Sequence, residues 1–167
     1  MDFGQLYTST AGRISRKVWW LGTIGLIIIF FILGIVFGGI LGVVAGPEFG
    51  SSAFGEGVLE LIFLAIMFIP YRALTVKRLH DRSRPETLFL VWLAPSVALA
   101  VAKVLGVAGS YGPTTMFGMP IEAMQYNFLG KLLNWTTLAF GLWSLVELGF
   151  LKGDDGSNTH GDDPLAT

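Results

Sequence analysis

The sequence contains no cysteine, and this absence excludes several classes of site at once. Disulfide bonds, thiolate metal sites, iron–sulfur clusters and a cysteine nucleophile all require thiols. Zinc fingers that use cysteine ligands are excluded for the same reason. The composition therefore narrows the chemistry of the chain, but it leaves the redox environment undetermined.

Charged residues are also scarce, at 14% of the chain, whereas 53% of the residues are hydrophobic. Soluble domains usually contain about 25% charged residues. The 11 lysines and arginines are balanced by 12 aspartates and glutamates, so the charge does not predict nucleic-acid binding. Because the hydrophobic residues occur in long uninterrupted runs, we expect the lipid bilayer to be the main partner of the chain.

Four apolar stretches are long enough to cross a bilayer, which needs roughly 20 residues in a helix. They cover residues 18–45, 58–76, 88–107 and 128–151. The first stretch is longer than the apolar part of a cleavable signal peptide, roughly 7 to 15 residues, so we expect it to be retained. The sequence predicts an all-α polytopic membrane protein, with residues 1–167 as one domain and four transmembrane helices in a small bundle.

The distribution of lysine and arginine predicts the orientation, because positive charge stays on the cytoplasmic side of membrane helices. A cytoplasmic N-terminus leaves only Lys103 and Lys131 toward the outer side. Both termini, the basic loop 77–87 and the acidic tail 152–167 are then cytoplasmic, in a multi-pass protein of the bacterial inner membrane. The predicted cytoplasmic cations are Arg13, Arg16, Lys17, Arg72, Lys77, Arg78, Arg82, Arg84 and Lys152.

Three short blocks of sequence stand at fixed places around these spans: before the first, after the second and in the tail. Their motif residues are Gly12, Arg13, Ser15, Arg16, Arg78, Leu79, His80, Asp81, Asn158, Gly161, Asp163 and Pro164. In this order they resemble the domain-of-unknown-function 805 family of small bacterial membrane proteins. The chain departs from the family pattern at 82–87, where a turn ending in Ser-Gly and an aromatic is expected, and at His160, where an aromatic is expected. The resemblance implies architecture and location, but no reaction or catalytic residue.

Small residues and prolines in the spans suggest where helices approach or bend. Gly34, Gly38 and Gly42 share one helix face and would let another backbone approach closely. We favour packing within the same bundle, and the alternative is a contact between two copies of the chain. Pro70 and Pro95 each remove a helix hydrogen bond, and they either shape a shared cavity or are independent irregularities.

Ionisable residues inside the spans need partners, because a charge in lipid is costly. Arg72 and Glu147 each lie five residues from a flanking lysine, which places both about 7 Å inside the boundary. Their matching depth predicts an ion pair between the second and fourth helices. Toward the other side, Glu60, Lys103 and Lys131 either form a second polar cluster or, as we favour, the lysines extend to water.

The basic loop contains His80 and Asp81, and the predicted topology brings the acidic tail to the same side. We favour local hydrogen bonds around the His-Asp pair and electrostatic docking of the tail. The alternative is a metal site built from His80, Asp81, His160 and Asp162, because imidazole and carboxylate ligands suit zinc. The loop could also bind anionic lipid headgroups.

Catalytic motifs do not stand out: the sequence shows no Ser-His-Asp order, phosphate loop or paired-carboxylate arrangement. The sequence therefore does not support an enzyme, and we expect no cofactor. The favoured function is a membrane assembly or regulatory component that uses the basic loop and the tail, with a homo-oligomer or another membrane protein as partner. The alternatives are a subunit of a small transporter or channel and a metal-dependent membrane enzyme.

Overall fold

The computed structural model describes residues 2–166, except for the side chain of Pro47. Most of these residues are helical, and the last helix continues into a π-helical turn, Val146–Phe150. The elements in chain order are α1 (Phe3–Thr8), α2 (Arg16–Val44), α3 (Pro47–Gly50), α4 (Ala53–His80), α5 (Thr87–Val104), β1 (Gly109–Met116), β2 (Met119–Tyr126) and α6 (Phe128–Leu145).

Three helices, α2, α4 and α5, are long and apolar enough to cross a membrane. Helix α6 has 18 residues, but Lys131 and Asn134 interrupt its apolar sequence. The large side chains on these helices are exposed to an unusual degree; on α2 they include Leu21, Ile27 and Phe31. Such exposure is unfavourable in water, so the structure supports lipid as the surroundings of the helices.

The segment that follows α5 is a β-hairpin, which the sequence did not predict. Strands β1 and β2 are antiparallel, and Met116 pairs with Met119 across a two-residue turn. The turn residues Phe117 and Gly118 both have positive φ, 51° and 79°, as a type I′ turn requires. The all-α prediction, which placed no strand between the stretches 88–107 and 128–151, is therefore wrong in this segment. The turn lacks the Asn-Gly or Asp-Gly sequence that usually announces such hairpins.

One compact unit consists of residues 2–30, 65–93 and 139–166. Its hydrophobic core contains side chains from α2, α4, α5 and the π-helical turn. The buried residues of this core are Ile14, Trp19, Leu26, Leu74, Val76, Leu79, Phe89, Trp92 and Leu148. Helices α2 and α4 approach closely at Gly22, because a Cβ there would lie 2.8 Å from the Leu74 side chain. The short helix α1 belongs to this unit, since Tyr7 donates a hydrogen bond to the carbonyl of Gly22 at 3.1 Å.

A second compact unit consists of residues 31–64 and 94–138, and it contains the hairpin. Helices α4 and α5 are in close contact at Gly57, where a Cβ would lie 2.7 Å from the carbonyl oxygen of Ala100. The base of the hairpin is anchored by Asn127, whose backbone N–H donates to the carbonyl of Ala108 at 3.0 Å. Pro95 of α5 lies in this unit, whereas Pro70 of α4 lies in the first unit.

Candidate functional site at the end of the last helix

The end of the last helix is covered by side-chain donors from distant parts of the chain. The last carbonyls of a helix have no partner within it, so they must find donors elsewhere. Here five consecutive carbonyls, Glu147 to Leu151, each accept a hydrogen bond from an arginine or tryptophan side chain. Arg82 donates to Glu147 at 2.6 Å, Arg78 to Leu148 and Leu151 at 2.8 and 2.5 Å, Trp20 to Gly149 at 3.0 Å, and Arg16 to Phe150 at 3.0 Å. We call this set of donors, Arg16, Trp20, Arg78 and Arg82, the arginine cap.

The arginine cap also matches the charge of the helix end. The carbonyl end of a helix carries partial negative charge, which favours cations nearby. The π-helical turn widens the backbone there, and insertions of this kind are frequent at functional sites. Arg78 and Arg82 of the basic loop are thus engaged in hydrogen bonds to backbone carbonyls of the chain itself. Fewer cations of the loop are available to bind lipid headgroups or other ligands.

Asp81 lies between two arginines next to the cap. Arg13 donates to its Oδ1 at 3.1 Å, and Arg78 donates to its Oδ2. All three side chains are almost completely buried, at 1% exposure for each arginine and 4% for the aspartate. Burial raises the pKa of Asp81, and the two guanidinium groups oppose that rise. A buried charge of this kind is stable only when its partners stay in place.

The tail docks on the same residues through its backbone. The backbone N–H of Asp154 donates to the carbonyl of Asp81 at 2.8 Å. Arg13 donates to the carbonyls of Asp154 and Gly156 at 2.7 and 2.6 Å, and it reaches Gly161 at 3.3 Å. The prediction was that acidic side chains of the tail would dock on the basic loop. In the structure Arg13 instead binds backbone carbonyls of the tail. The side chains of Asp154, Asp155 and Asp162 remain exposed.

Asn158 and His160 complete the docking. The side-chain amide of Asn158 donates to the carbonyl of His80 at 2.9 Å, and its Oδ1 accepts from the backbone N–H of His160 at 2.8 Å. The imidazole of His160 stacks on that of His80, with ring centroids 3.7 Å apart and planes 9° from parallel. The position at which an aromatic residue was expected is therefore occupied by an imidazole that stacks on His80.

The candidate metal ligands are engaged in other contacts. The ring nitrogens of His80 face the carbonyl of Gly12 at 3.2 Å and Glu86 at 3.0 Å, and Asp81 is held by its two arginines. Asp162 accepts from Ser157 at 3.0 Å. Within residues 2–166 no group of three or more His, Cys, Asp or Glu side chains is placed to hold a metal ion. The geometry therefore does not favour the metal-site alternative.

Arg72 and Glu147 do not pair with each other, so the predicted ion pair is wrong. Arg72 contacts Glu86 at 3.5 Å, and both side chains are exposed by more than two fifths. Glu147 is instead bound by Arg82 and Arg84, at 3.2 and 3.1 Å. Depth along a helix does not determine the direction in which a side chain points, and the turn after α4 brings Arg82 and Arg84 within reach of Glu147.

The second polar cluster forms around Lys103. Its ammonium lies 2.6 Å from Glu56 and 2.9 Å from Glu60, and only 5% of the side chain is exposed. Tyr111 of β1 donates to the other oxygen of Glu56 at 2.8 Å. The expectation that Lys103 extends to water is therefore wrong. Lys131, in contrast, is exposed. We call Glu56, Glu60, Lys103 and Tyr111 the Lys103 cluster.

The glycine face of α2 has no close neighbour among the described residues. A Cβ at Gly34, Gly38 or Gly42 would meet no atom within 4 Å. The favoured packing of this face within the bundle is therefore not observed, and the contact between two copies stays a prediction.

Several residues of these sites were not identified from the sequence. Trp20 and Tyr111 each donate one hydrogen bond to a residue that is distant in sequence, Gly149 and Glu56 respectively. No local sequence pattern reveals such contacts. Lys77 also belongs here, since its ammonium donates to the carbonyls of Gln5 and Leu6 at the end of α1. The spacing of four residues between Glu56 and Glu60 did offer a signal, because it places both carboxylates on one helix face.

Comparison with known proteins identifies relatives of this chain. The sequence model of the family described as "Protein of unknown function (DUF805)" matches residues 7–162. The inner membrane protein YhaH of Escherichia coli is 28% identical over 112 residues, which cover 67% of this chain and 86% of that protein. The inner membrane protein YhaI of the same organism is 28% identical over 121 residues, covering 67% and 90%.

No solved structure matches the chain. The family match includes all three motif blocks except the last two motif residues, Asp163 and Pro164, and it confirms the resemblance drawn from them. The motif residues Arg13, Arg78 and Asp81 lie together, and the tail docks on Arg13 and Asp81. The chain belongs to this family of membrane proteins of unknown function.

Proposed function

We propose that this chain is a multi-pass inner-membrane protein that acts as an assembly or regulatory component through a folded cytoplasmic surface. The observation that carries the proposal is the docked tail. The motif residues are used to hold the tail and the end of the last helix, and their polar groups point at each other. Such an arrangement suits a surface that is recognised by another protein better than a pocket that transforms a substrate.

The membrane part of the proposal has four helices crossing the bilayer and both termini in the cytoplasm. Its support is the location in the name of the relatives, the exposed apolar helices and the positions of lysine and arginine. Helix α6 is the fourth crossing, with the arginine cap at its cytoplasmic end. The cap would then satisfy carbonyls at the level where lipid hydrocarbon gives way to headgroups.

The absence of cysteine makes the topology directly testable, since a single introduced cysteine is the only thiol. We expect Thr115→Cys, in the hairpin, to react with a membrane-impermeant maleimide added to spheroplasts. Thr159→Cys, in the tail, should react only after the membrane is opened. Both positions are exposed, so burial does not limit labelling. The reverse pattern, or equal labelling of both, would contradict cytoplasmic termini.

The role of the surface is tested by purification from native membranes followed by mass spectrometry of co-purifying proteins. Arg78, His80 and Asp81 are buried, so their replacement would disturb the fold and not only the surface. Asp155→Asn with Asp162→Asn is the better variant, because both side chains are exposed. We expect a stoichiometric partner that this double variant loses and that Glu122→Gln, on the hairpin, retains. A wild-type preparation without a protein partner would remove the proposal.

A subunit of a small transporter or channel is the second candidate, and the Lys103 cluster is the observation that favours it. Ionisable residues within membrane helices often mark ion or substrate pathways. Two carboxylates around one buried ammonium leave one negative charge uncompensated within the cluster. Flux of solute or ions in proteoliposomes that Glu60→Gln abolishes would favour this candidate, and a monomer without flux would count against it.

A further inference from the structure

The turn of the β-hairpin is surrounded by exposed apolar side chains, and the proposed function does not use them. Met116, Phe117 and Met119 are 54%, 94% and 61% exposed. We call these three residues, together with Gly118, the hairpin tip. The chain has no charged side chain from Gly109 to Ile121. Apolar side chains grouped in this way are unfavourable in water and mark surfaces that contact something else.

The backbone of the hairpin tip is a second, independent observation. Phe117 has a φ of 51°, which is unfavourable for a residue with a side chain because its Cβ lies too close to a carbonyl oxygen. Turns of this type normally have Asn, Asp or Gly at this position. The phenylalanine therefore does not help the turn to form, and its ring is almost completely exposed. A strained residue that folding does not require points to a role outside the fold.

The apolar side chains near the tip share one face of the hairpin. Side chains alternate between the two faces along a strand, and paired residues of neighbouring strands lie on the same face. Met116 pairs with Met119, and Ile121 follows two residues later on that face. Thr115 and Glu122 lie on the opposite face. The hairpin therefore has an apolar face and a more polar face at its outer end.

The base of the hairpin is continuous with the apolar surface of the helices. Leu105 and Val107 precede β1, Phe128 and Leu129 follow β2, and all four side chains are exposed. They extend the exposed apolar surfaces of α5 and α6, for which lipid is the surroundings. The hairpin thus begins and ends at a surface that lipid covers.

The length of the hairpin separates two arrangements at the bilayer. Each strand has eight residues, so the hairpin is about 27 Å long. If it stood upright on the helix ends, the hairpin tip would lie in water, far from the headgroups. If it lies along the bilayer surface, its apolar face meets lipid, and the hydrophobic effect favours this arrangement.

The backbone limits how deeply the hairpin enters. A two-stranded sheet has two open edges, whose N–H and C=O groups need partners that hydrocarbon does not offer. The strands must therefore stay among the headgroups and water, and only side chains of the apolar face reach the hydrocarbon. This is the arrangement of elements that lie on a membrane without crossing it.

We propose that the hairpin lies along the surface of the bilayer that surrounds the helices, and that the hairpin tip inserts into this surface with Phe117 as its anchor. The occupant of the apolar face is lipid. The proposal rests neither on the assembly role nor on the side of the membrane that the hairpin occupies, because either leaflet offers the same hydrocarbon.

The test uses the full-length chain in phosphatidylcholine vesicles and a fluorescent bimane label on a single introduced cysteine. Met116→Cys places the label on the apolar face. Thr115→Cys is the matched control, because it is the neighbouring residue, is also exposed and lies on the opposite face. The same label on both variants cancels its own affinity for lipid. Lipids with bromine on the acyl chains quench a label in the bilayer, and iodide quenches a label in water.

We expect brominated lipid to quench the Met116→Cys label at least about twofold more than the Thr115→Cys label, and iodide to act in the reverse order. Bromine near the headgroups should quench more than bromine near the chain ends, because insertion is shallow. Equal quenching of both labels by iodide, without quenching by bromine, would show an upright hairpin and overturn the proposal. Shielding from iodide that is present only at a high ratio of protein to lipid would assign the face to a second copy, and it would also overturn the proposal.

Phe117→Asn tests the anchor separately from the fold of the hairpin. Asparagine adopts positive φ more readily than phenylalanine and is preferred in this turn, so β1 and β2 should stay paired. Amide exchange of the hairpin peptides checks that pairing. In this variant, quenching of the Met116→Cys label by brominated lipid should fall by about twofold, since the largest inserted side chain is lost. Unchanged quenching would overturn the assignment of Phe117 as the anchor.

Discussion

Cations are buried in two regions of this chain, and the two regions compensate them in different ways. The arginine cap and Arg13 donate mainly to backbone carbonyls, with Asp81 as the shared carboxylate. In the Lys103 cluster, a single ammonium lies between two carboxylates. The guanidinium group offers several donors in a planar fork, which suits a set of carbonyls, whereas the ammonium is a compact charge that suits carboxylates.

The difference also concerns where the partners come from. Each donor of the arginine cap is joined to a carbonyl more than 60 residues away in sequence. The Lys103 cluster uses the facing helices α4 and α5 together with one strand of the hairpin. The cap thus joins segments from the beginning, the middle and the end of the chain. We expect its loss to lower the stability of the fold more than loss of the Lys103 cluster.

The largest effect should come from Arg78→Met. This change leaves Asp81 without one of its partners and two carbonyls of the last helix without a donor. Breaking a buried pair of this kind costs about 3 to 5 kcal/mol. The measurement is the free energy of unfolding in mixed micelles. Arg72→Met, at an exposed pair, is the control and should change stability by less than about 1 kcal/mol.

Lys103→Met should have a smaller effect than Arg78→Met. The two carboxylates lose their counter-charge, but about a third of each side chain already reaches solvent. We expect a loss of roughly 2 to 3 kcal/mol, and addition of Glu60→Gln should restore part of it. Lys131→Met, at an exposed site, should stay within about 0.5 kcal/mol. A loss equal to that of Arg78→Met would remove the contrast between the regions.

Two glycines extend the comparison to packing. Gly149 lies under Trp20 and Trp19, so a Cβ there would be 2.9 and 3.0 Å from their rings. We expect Gly149→Ala to lower stability by about 1 to 3 kcal/mol, since Trp20 donates a hydrogen bond to the Gly149 carbonyl and Trp19 is packed in the core. Gly38→Ala meets no neighbour and should raise helix stability by up to about 1 kcal/mol. A change in oligomeric state with Gly38→Ala would indicate the contact between copies.

Tyr111→Phe isolates the link between the hairpin and the Lys103 cluster. Loss of the hydrogen bond to Glu56 should cost about 1 kcal/mol. Burial and the contact with Glu56 raise the pKa of Tyr111 to about 12. The hydroxyl therefore keeps its proton, and the hydrogen bond, up to that pH. In an ultraviolet titration, the variant should lack one late-titrating tyrosine; an unchanged high-pH step would show that Tyr111 is not held in this way.

The smallest effect should come from Asp163→Asn in the exposed part of the tail. Backbone N–H groups of Leu165 and Gly156 hold the pKa of Asp163 below its usual value. The charged form is thus favoured in the folded turn, and this contribution is present above about pH 4 and is lost as the pH falls further. We expect faster amide exchange at Gly156 and Leu165 only, with the rest of the tail protected.

How much the sequence could predict depends on the range of the interaction. The apolar stretches and the three motif blocks are local patterns, and they led to the membrane class and the family. The ion pair of Arg72 with Glu147 was inferred from depth alone, and it failed because depth does not specify the rotation of a helix. The hairpin was missed because its turn uses Phe117, a residue that rarely adopts positive φ.

By itself, the sequence determined that lipid surrounds much of this chain, since hydrophobic runs of this length cannot be buried otherwise. It also determined which arginines, histidines and aspartates form the motifs. Only the tertiary structure decided that these arginines satisfy the carbonyls of the last helix, and that His160 stacks on His80. The physical reason is that a backbone carbonyl belongs to every residue, so no sequence pattern marks the one that a distant side chain will reach.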